Sequence, residues 1–200
     1  MPSAPWFRLQ DLIRRKTLIL GEVGSGKTRL TAEILREATK TLNGREVTAI
    51  DMAPPSLLLG HLKVGGRLHE YTLATGNVRY LWDPGIKPPR LSSRTPGEVL
   101  EAVRRNKAAI DAMLDEYLRN PSRVLIVNDV SIYLQAEPFT RLLKALEAAD
   151  TVVANGYYGR AISVSFDAGV SEVERRGMQL LMRNMDRLIH LKRVTPPNPA

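Results

Sequence analysis

The segment GEVGSGKT, residues 21–28, constrains this chain more than any other stretch. It follows a short apolar run at residues 17–20 and precedes a helical pattern, so it connects a strand to a helix. Glycine at positions 21 and 26 lets backbone N–H groups curl round an anion, because a side chain there would block the approach. Lys27 can then reach phosphate oxygens, and the Thr28 hydroxyl can bind Mg²⁺. The segment predicts a nucleoside triphosphate site.

We expect the phosphates to contact the whole loop and the residue after it. The helix that begins near Gly26 directs the positive end of its dipole at the same anion. A glycine-rich turn that binds nothing is the alternative interpretation. The predicted nucleotide-binding residues are Gly21, Glu22, Val23, Gly24, Ser25, Gly26, Lys27, Thr28 and Arg29.

Composition excludes several classes of protein. The 200 residues include no cysteine, which excludes disulfides, thiolate metal sites and cysteine nucleophiles. His61, His69 and His190 stand apart from other metal ligands, so we assign none of them to a metal. No apolar run approaches the roughly 18 residues that span a membrane, and the first residues lack the apolar core of a secretory signal. We therefore expect a cytoplasmic protein that does not bind a membrane.

The formal net charge of +8 predicts attraction to phosphate-rich partners. Nucleic acid is the obvious candidate, and a protein partner is the other. The basic residues are scattered and aromatic residues make up only 6% of the chain, so the sequence shows no stacking platform for bases. A basic surface with no partner beyond the anion is the alternative, and the oligomeric state stays open.

Apolar periodicity divides the rest of the chain into alternating strands and helices. This order predicts an α/β fold, a three-layer open and mainly parallel sheet with helices on both faces. We expect one domain over residues 1–194, and a proline-rich, disordered tail at 195–200. The predicted helices are 30–42, 95–118, 138–149 and 171–185, the last with a capping box at Ser171 and Glu174. The predicted strands are 17–20, 46–50, 123–129, 151–154 and 186–191, with an edge strand or lid at 161–166.

Residues 54–94 interrupt this alternation and predict an insertion after the second strand. Residues 57–62 favour one or two helical turns, and the β-rich runs 67–73 and 78–82 predict a hairpin round 75–77. The proline-rich loop that follows carries Lys87, Arg90 and Arg94, which are candidates for contact with a second substrate. A rigid surface connection is the alternative.

The segment RVLIVND, residues 123–129, predicts a central buried strand that delivers Asp129 to the edge of the sheet where ligands bind. Asn128 either orients a water or turns the chain. Asp51, at the end of the preceding strand, either serves as a base or holds a water on Mg²⁺, or else it caps the next turn.

GEVGSGKT at 21–28 and VLIVND at 124–129 resemble the Walker A and Walker B motifs of the P-loop NTPase superfamily. The two motifs indicate no narrower family. The resemblance implies an ATPase in which Lys27 and Asp129 act on the phosphates and the metal. It also implies that Asp129, through water, and Thr28 bind the same Mg²⁺. Many such ATPases have glutamate after the aspartate, whereas this chain has Val130. The catalytic base is therefore unassigned; the candidates are Glu22, Asp51 and Glu137.

Two further residues take roles from this resemblance. Asn155 at a strand end resembles the γ-phosphate-sensing asparagine of RecA-like and AAA+ ATPases, although an Asn-Gly turn is an equal alternative. No aspartate follows Asn155 in the pattern by which GTPases read guanine, so we expect ATP rather than GTP. Arg160 is a candidate arginine finger, with a surface salt bridge as its alternative.

Three functions follow as hypotheses. The first is a Mg²⁺-dependent ATPase that couples binding and hydrolysis to a protein or nucleic-acid partner. The second is a phosphotransferase with Asp51 as base and the insertion holding an acceptor. The third is a nucleotide-binding switch with negligible turnover, which the missing glutamate after Asp129 suggests.

Overall fold

The computed structural model describes residues 9–59, 62–159 and 166–193, with the backbone alone at residues 59, 62 and 63. The strands are β1 Lys16–Gly21, β2 Val47–Asp51, β3 Leu57–Leu59, β4 Leu62–Val64, β5 Arg79–Trp82, β6 Val124–Asn128, β7 Thr151–Tyr157 and β8 Arg187–Leu191. Within the described ranges, six of them form one sheet in the order β5-β2-β6-β7-β1-β8, and every neighbouring pair is parallel. Strands β3 and β4 form a separate antiparallel hairpin.

Helices cover both faces of this sheet, as predicted. They are α1 Lys27–Thr41, α2 Pro89–Ser92, α3 Pro96–Arg119, α4 Val130–Tyr133, α5 Thr140–Glu147 and α6 Val170–Arg183. Short 3-10 turns lie at Leu9–Asp11, Gly44–Glu46, Leu68–Glu70 and Leu73–Asn77. No helix of the described ranges is long and apolar enough to cross a membrane.

Alternate residues of each central strand belong to two separate cores. In β1, Leu18 and Leu20 pack into the core that holds α3, α5 and α6, whereas Ile19 packs into the core that holds α1. Successive strand side chains point to opposite faces, so a strand covered on both sides must be apolar throughout. This requirement explains the unbroken apolar runs at 17–20 and 124–127.

The strand order decides which chain segments meet at the site. Strand β7 lies between β1 and β6, so the strand before Asp129 does not adjoin β1, which leads into the predicted phosphate-binding loop at 21–28, called the phosphate loop below. The carboxyl ends of these parallel strands nevertheless share one edge of the sheet. That edge receives Gly21 from β1, Asp129 after β6 and Asn155 from β7.

Local chemistry explains how the two longest helices start. Helix α1 begins directly after Gly26, which adopts the left-handed conformation with φ 90°. Helix α3 begins at Pro96, and the Thr95 hydroxyl accepts a hydrogen bond from the Glu98 backbone N–H at 3.2 Å. The threonine cap and first-turn proline predicted for this helix are therefore confirmed.

The insertion contains a hairpin after the second strand, as predicted, but at other residues. The helical turns predicted at 57–62 are wrong, because β3 and β4 pair there. The hairpin predicted from 67–73 and 78–82 is also wrong, because β5 joins β2 in parallel and the residues before it form 3-10 turns. A β-rich run looks the same in sequence whichever partner it finds, so local pattern did not separate these arrangements.

Three other boundaries differ from expectation. Strand β7 extends to Tyr157, and α5 is shorter than the predicted 138–149. The predicted capping box of α6 is wrong: Gly169, with φ 79°, occupies the cap, and the Asp167 carboxylate accepts hydrogen bonds from Ser171. The predictions for residues 161–165 and 195–200 lie outside the described residues.

Candidate functional site

A cavity of about 260 Å³ lies at the carboxyl edge of the sheet. The phosphate loop forms one part of its wall, the ends of β6 and β7 form another, and the insertion covers the rest. Its lining includes Gly24, Gly26, Lys27, Thr28, Arg29, Pro54, Val64, Tyr71, Pro88, Pro89, Arg90, Leu91, Asp129, Ser131, Ile132, Gln135, Asn155 and Tyr157. The cavity is therefore mainly polar at the loop, and Pro54, Val64, Tyr71 and Leu91 of the insertion give it an apolar end beside Arg90.

Tight backbone packing explains the glycine that opens the loop. A Cβ at Gly21 would stand 2.5 Å from the Leu191 carbonyl oxygen and 2.6 Å from Ser25 Oγ. Such distances are below any real contact of a Cβ. Position 21 therefore requires glycine because β8 and the returning loop both approach its backbone.

Lys27 folds back onto the loop that carries it. Its Nζ donates hydrogen bonds to the carbonyl oxygens of Gly21 at 3.0 Å and Glu22 at 2.8 Å. Burial lowers the pKa of the Lys27 amine, and the negative charges of Asp129 and Glu22 oppose this shift. The ammonium therefore lies beside the loop, where phosphate oxygens can replace the two carbonyls as its partners.

The loop has the features of an anion cradle. Ser25 Oγ is buried and has no hydrogen-bond partner among the described residues. The cap of α1 at Gly26 makes no side-chain hydrogen bond, which leaves the first N–H groups of the helix without a side-chain acceptor. A phosphate group supplies the acceptors that these donors lack, so the residues present fit a bound nucleotide.

Asp129 lies on the same cavity in a restrained conformation. Its backbone is left-handed with φ 59°, its N–H donates to Asn155 Oδ1 at 3.2 Å, and its carboxylate accepts a hydrogen bond from the Ser131 hydroxyl. Burial raises the pKa of the Asp129 carboxyl, and this rise is opposed by the hydrogen bond from Ser131 and then by the charges of Lys27 and Arg90. A bound cation would favour the ionised carboxylate.

Thr28 and Asp129 line one cavity and offer the hard oxygen donors that Mg²⁺ prefers. The described residues contain no group of three or more His, Cys, Asp or Glu that could hold a metal by themselves. This donor set fits a magnesium ion whose remaining ligands are phosphate and water oxygens, and it does not fit an all-protein metal cage.

Asn155 joins three elements of the site. Its Nδ2 donates to Thr31 Oγ1 on α1 and to Asn128 Oδ1 on β6, both at 2.8 Å, and its Oδ1 accepts from the Asp129 N–H. The Asn-Gly turn considered as its alternative is wrong, because Asn155 and Gly156 continue β7. Asn155 lines the cavity and fixes the backbone of Asp129.

Asp51 lies in a buried network instead of on the cavity wall. Its Oδ1 accepts from the Ala53 N–H at 3.2 Å and from Asn128 Nδ2 at 2.7 Å; its Oδ2 accepts from the Leu68 N–H and the Tyr80 hydroxyl, both at 2.6 Å. Burial raises the pKa of Asp51, and these hydrogen bonds oppose the rise. The turn-capping contact is therefore present, and this placement favours a structural role over that of a base.

The other candidate residues are dispersed. Glu137 is exposed and pairs with Arg176 at 3.7 Å. The Glu22 side chain packs against Gly159, and its backbone carbonyl holds Lys27. Arg160 lies outside the described residues.

Sequence reasoning missed a buried charged cluster beside the cavity. Arg90, considered only for a second substrate, donates to Glu174 at 2.6 Å and to Ser171 at 2.8 Å. Gln135 also donates to Glu174. One signal was available: Glu174 falls on the apolar face of α6 with Val170, Gly177, Met178 and Leu181, where a lone carboxylate requires a partner.

Neither protein-family models nor curated proteins give a match to this sequence. Among solved structures, the chain is similar to the Pif1 helicase from Candida albicans, with 17% identity and a TM-score of 0.40 over 90% of this chain and 36% of that one. It is also similar to the Pyrococcus furiosus Hef helicase domain, with 10% identity and a TM-score of 0.43 over 94% of this chain and 37% of that one. The chain thus spans little more than a third of either length, and the function proposed below does not rest on these likenesses.

Proposed function

We propose that this chain binds Mg-ATP in the cavity and hydrolyses it, and that it couples this cycle to a nucleic-acid or protein partner. The observation that carries the proposal is that the two sequence motifs meet at one cavity. The phosphate loop with Lys27 and Thr28 and the strand-end carboxylate of Asp129, which are about 100 residues apart in sequence, line one cavity.

Each residue then has a definable task. The loop N–H groups and Lys27 bind the phosphates, with Lys27 exchanging the Gly21 and Glu22 carbonyls for phosphate oxygens. Thr28 and Asp129 would hold Mg²⁺, which neutralises phosphate charge when it is bound. Ser131 and Asn155 hold Asp129 in place from two sides. Phosphoryl transfer depends mainly on such positioning and charge neutralisation.

The preference for ATP over GTP and the nature of the partner also belong to the proposal. ATP is favoured because no aspartate follows Asn155 in the guanine-reading pattern. The net charge of +8 favours a phosphate-rich partner, and such an association weakens as salt is added.

Two substitutions test the site. Lys27→Ala and Asp129→Ala are expected to weaken binding of Mg-ATP at least tenfold in calorimetric titration. Lys40→Ala and Asp150→Ala are the matched controls, since Lys40 is exposed on the same helix and Asp150 is exposed before β7. Should Lys27→Ala and Asp129→Ala both bind Mg-ATP as the parent does, the assignment of the site is wrong.

The apolar end of the cavity favours one second candidate, a phosphotransferase whose acceptor sits against the insertion. Pro54, Val64, Tyr71 and Leu91 form a wall suited to an organic molecule. Phosphate release with water alone supports hydrolysis, whereas ATP consumption that requires an added acceptor supports transfer. A rise in melting temperature with nucleotide but no turnover would identify a switch.

A further inference from the structure

Gln135, Glu174 and Arg90 form a buried chain of hydrogen bonds against the cavity. Gln135 Nε2 donates to Glu174 Oε2 at 3.0 Å, and Arg90 Nη2 donates to the same oxygen at 2.6 Å. Asp167 Oδ1 lies 3.9 Å from Arg90 Nη1. Gln135 is 4% exposed, Glu174 5% and Arg90 7%. Segments far apart in sequence thus meet at one carboxyl oxygen, since Arg90 belongs to α2 and Glu174 to α6.

This chain of bonds sets the orientation of the Gln135 amide. The NH₂ group of Gln135 donates to Glu174, so the carbonyl oxygen of the same amide faces away from that carboxyl group. That oxygen, Oε1, is buried and has no hydrogen-bond partner among the described residues. A buried amide oxygen without a donor is destabilising, which favours a ligand that supplies a donor.

The surroundings of Gln135 restrict the kind of ligand that can bind to its Oε1. The missing partner must be a donor, and Gln135 lines the same cavity as Lys27 and Asp129. Asp129 is near enough for its charge to act on Glu174. Two carboxylates that were candidates for activating water lie elsewhere: Asp51 is saturated in its own network and Glu137 is exposed. A water molecule is the donor that the proposed reaction requires and that these carboxylates do not position.

We propose that Gln135 Oε1 accepts a hydrogen bond from the water that attacks the γ-phosphate, with Glu174 and Arg90 as positioning residues that hold the amide. This inference rests on the proposed ATPase function. The water oxygen forms a bond to the γ-phosphorus, and the bond from that phosphorus to the bridging oxygen breaks. The electron pair leaves with the nucleoside diphosphate, and a proton of the water goes to the inorganic phosphate. The amide stays neutral and serves only to orient the water.

Gln135→Leu tests this role, because leucine keeps the size of the side chain and removes the carbonyl. Misplacement of a reacting group costs on the order of 100-fold in rate, so kcat for phosphate release is expected to fall about 100-fold. The Kd for Mg-ATP is expected to stay within about twofold of the parent. Gln179→Leu, the same substitution on the exposed face of α6, is the matched control and is expected to leave both constants unchanged.

Two variants of Glu174 test the positioning role. Glu174→Gln retains an oxygen that accepts from Gln135, so its kcat is expected to stay near that of the parent. Glu174→Leu releases the amide, and its kcat is expected to fall as that of Gln135→Leu does, with Kd again unchanged. If kcat falls equally in Glu174→Gln and Glu174→Leu, Glu174 contributes only packing and does not position the Gln135 amide.

The outcomes separate this inference from the function on which it rests. If the parent hydrolyses Mg-ATP and Gln135→Leu does so equally fast, the water assignment is wrong and the ATPase proposal stands. If Gln135→Leu weakens binding and leaves kcat intact, Oε1 contacts the nucleotide and not the water. If the parent releases no phosphate in the presence of nucleic acid or without it, the proposed function fails, and the inference fails with it.

Discussion

The buried carboxyl of Glu174 should make the stability of this protein depend on pH in an unusual direction. Burial raises the pKa of Glu174 from 4.5 to about 7, while the charge of Arg90 and the hydrogen bond from Gln135 oppose the rise. At about 1.4 kcal/mol per pH unit, this rise corresponds to roughly 3 kcal/mol. Between pH 4.5 and 7 the folded state keeps a proton that the unfolded chain has lost, so the free energy of unfolding falls as pH rises. Below pH 4.5 both states are protonated, and the full stability is present.

Urea unfolding of the parent and of Glu174→Gln from pH 4.5 to 8 measures this effect as a difference. Glutamine mimics the protonated side chain, so the two proteins should match near pH 4.5 and diverge until the variant is more stable by roughly 3 kcal/mol above pH 7. Glu172→Gln, on the exposed face of α6, is the control for changed net charge. A constant difference across this range refutes the reasoning. If the parent instead becomes more stable than Glu174→Gln as pH rises, the ion pair with Arg90 affects the pKa of Glu174 more than burial does.

Three further predictions concern the loop, the strand ends and the partner. Gly21→Ala should lose Mg-ATP binding and about 3 kcal/mol of stability, because its Cβ would stand 2.5 Å from the Leu191 carbonyl oxygen. Calorimetric titration and urea unfolding measure these losses, and parent-like binding would contradict the packing argument. Asn155→Ala should lower the free energy of unfolding in urea by roughly 3 kcal/mol, because Asn128, Thr31 and the Asp129 N–H each lose a hydrogen-bond partner. A decrease below about 1 kcal/mol would contradict this prediction. Fluorescence anisotropy should show that binding of single-stranded nucleic acid weakens between 50 and 200 mM salt, on the order of 10³-fold if about six phosphates are contacted. An affinity that does not depend on salt would exclude contacts with the phosphate backbone as the source of binding.

Local patterns predicted the parts of the fold that local chemistry controls. The run before Gly21, the loop, helix α1 and the apolar strand ending before Asp129 all appear where periodicity and glycine placement indicated them. A strand covered on both faces must be apolar, and a helix with one buried face must repeat its apolar residues every three or four positions. Each of these patterns can be recognised within a single segment of the sequence.

The insertion shows where such reasoning stops. The segment that became β5 has a β-rich composition suited to either a hairpin or a parallel strand, and pairing with the edge of β2 decided between them. The loop of Arg90 is rich in proline and basic residues, which predicts either contact with a second substrate or a surface connection. The burial of Arg90 depends on Glu174, which lies 84 residues further along the chain.

By itself, the sequence determined that a glycine-rich loop joins a strand to a helix in an α/β sheet and that Asp129 follows a buried strand, because those features depend on spacing within a few residues. Only the tertiary structure decided that β7 separates the two motif strands, that Asp51 is enclosed in its own network, and that Gln135 faces the cavity. The physical reason is that strand order and burial arise from contacts between distant segments. Those contacts are set by the packing of the whole sheet and are encoded in no single stretch of residues.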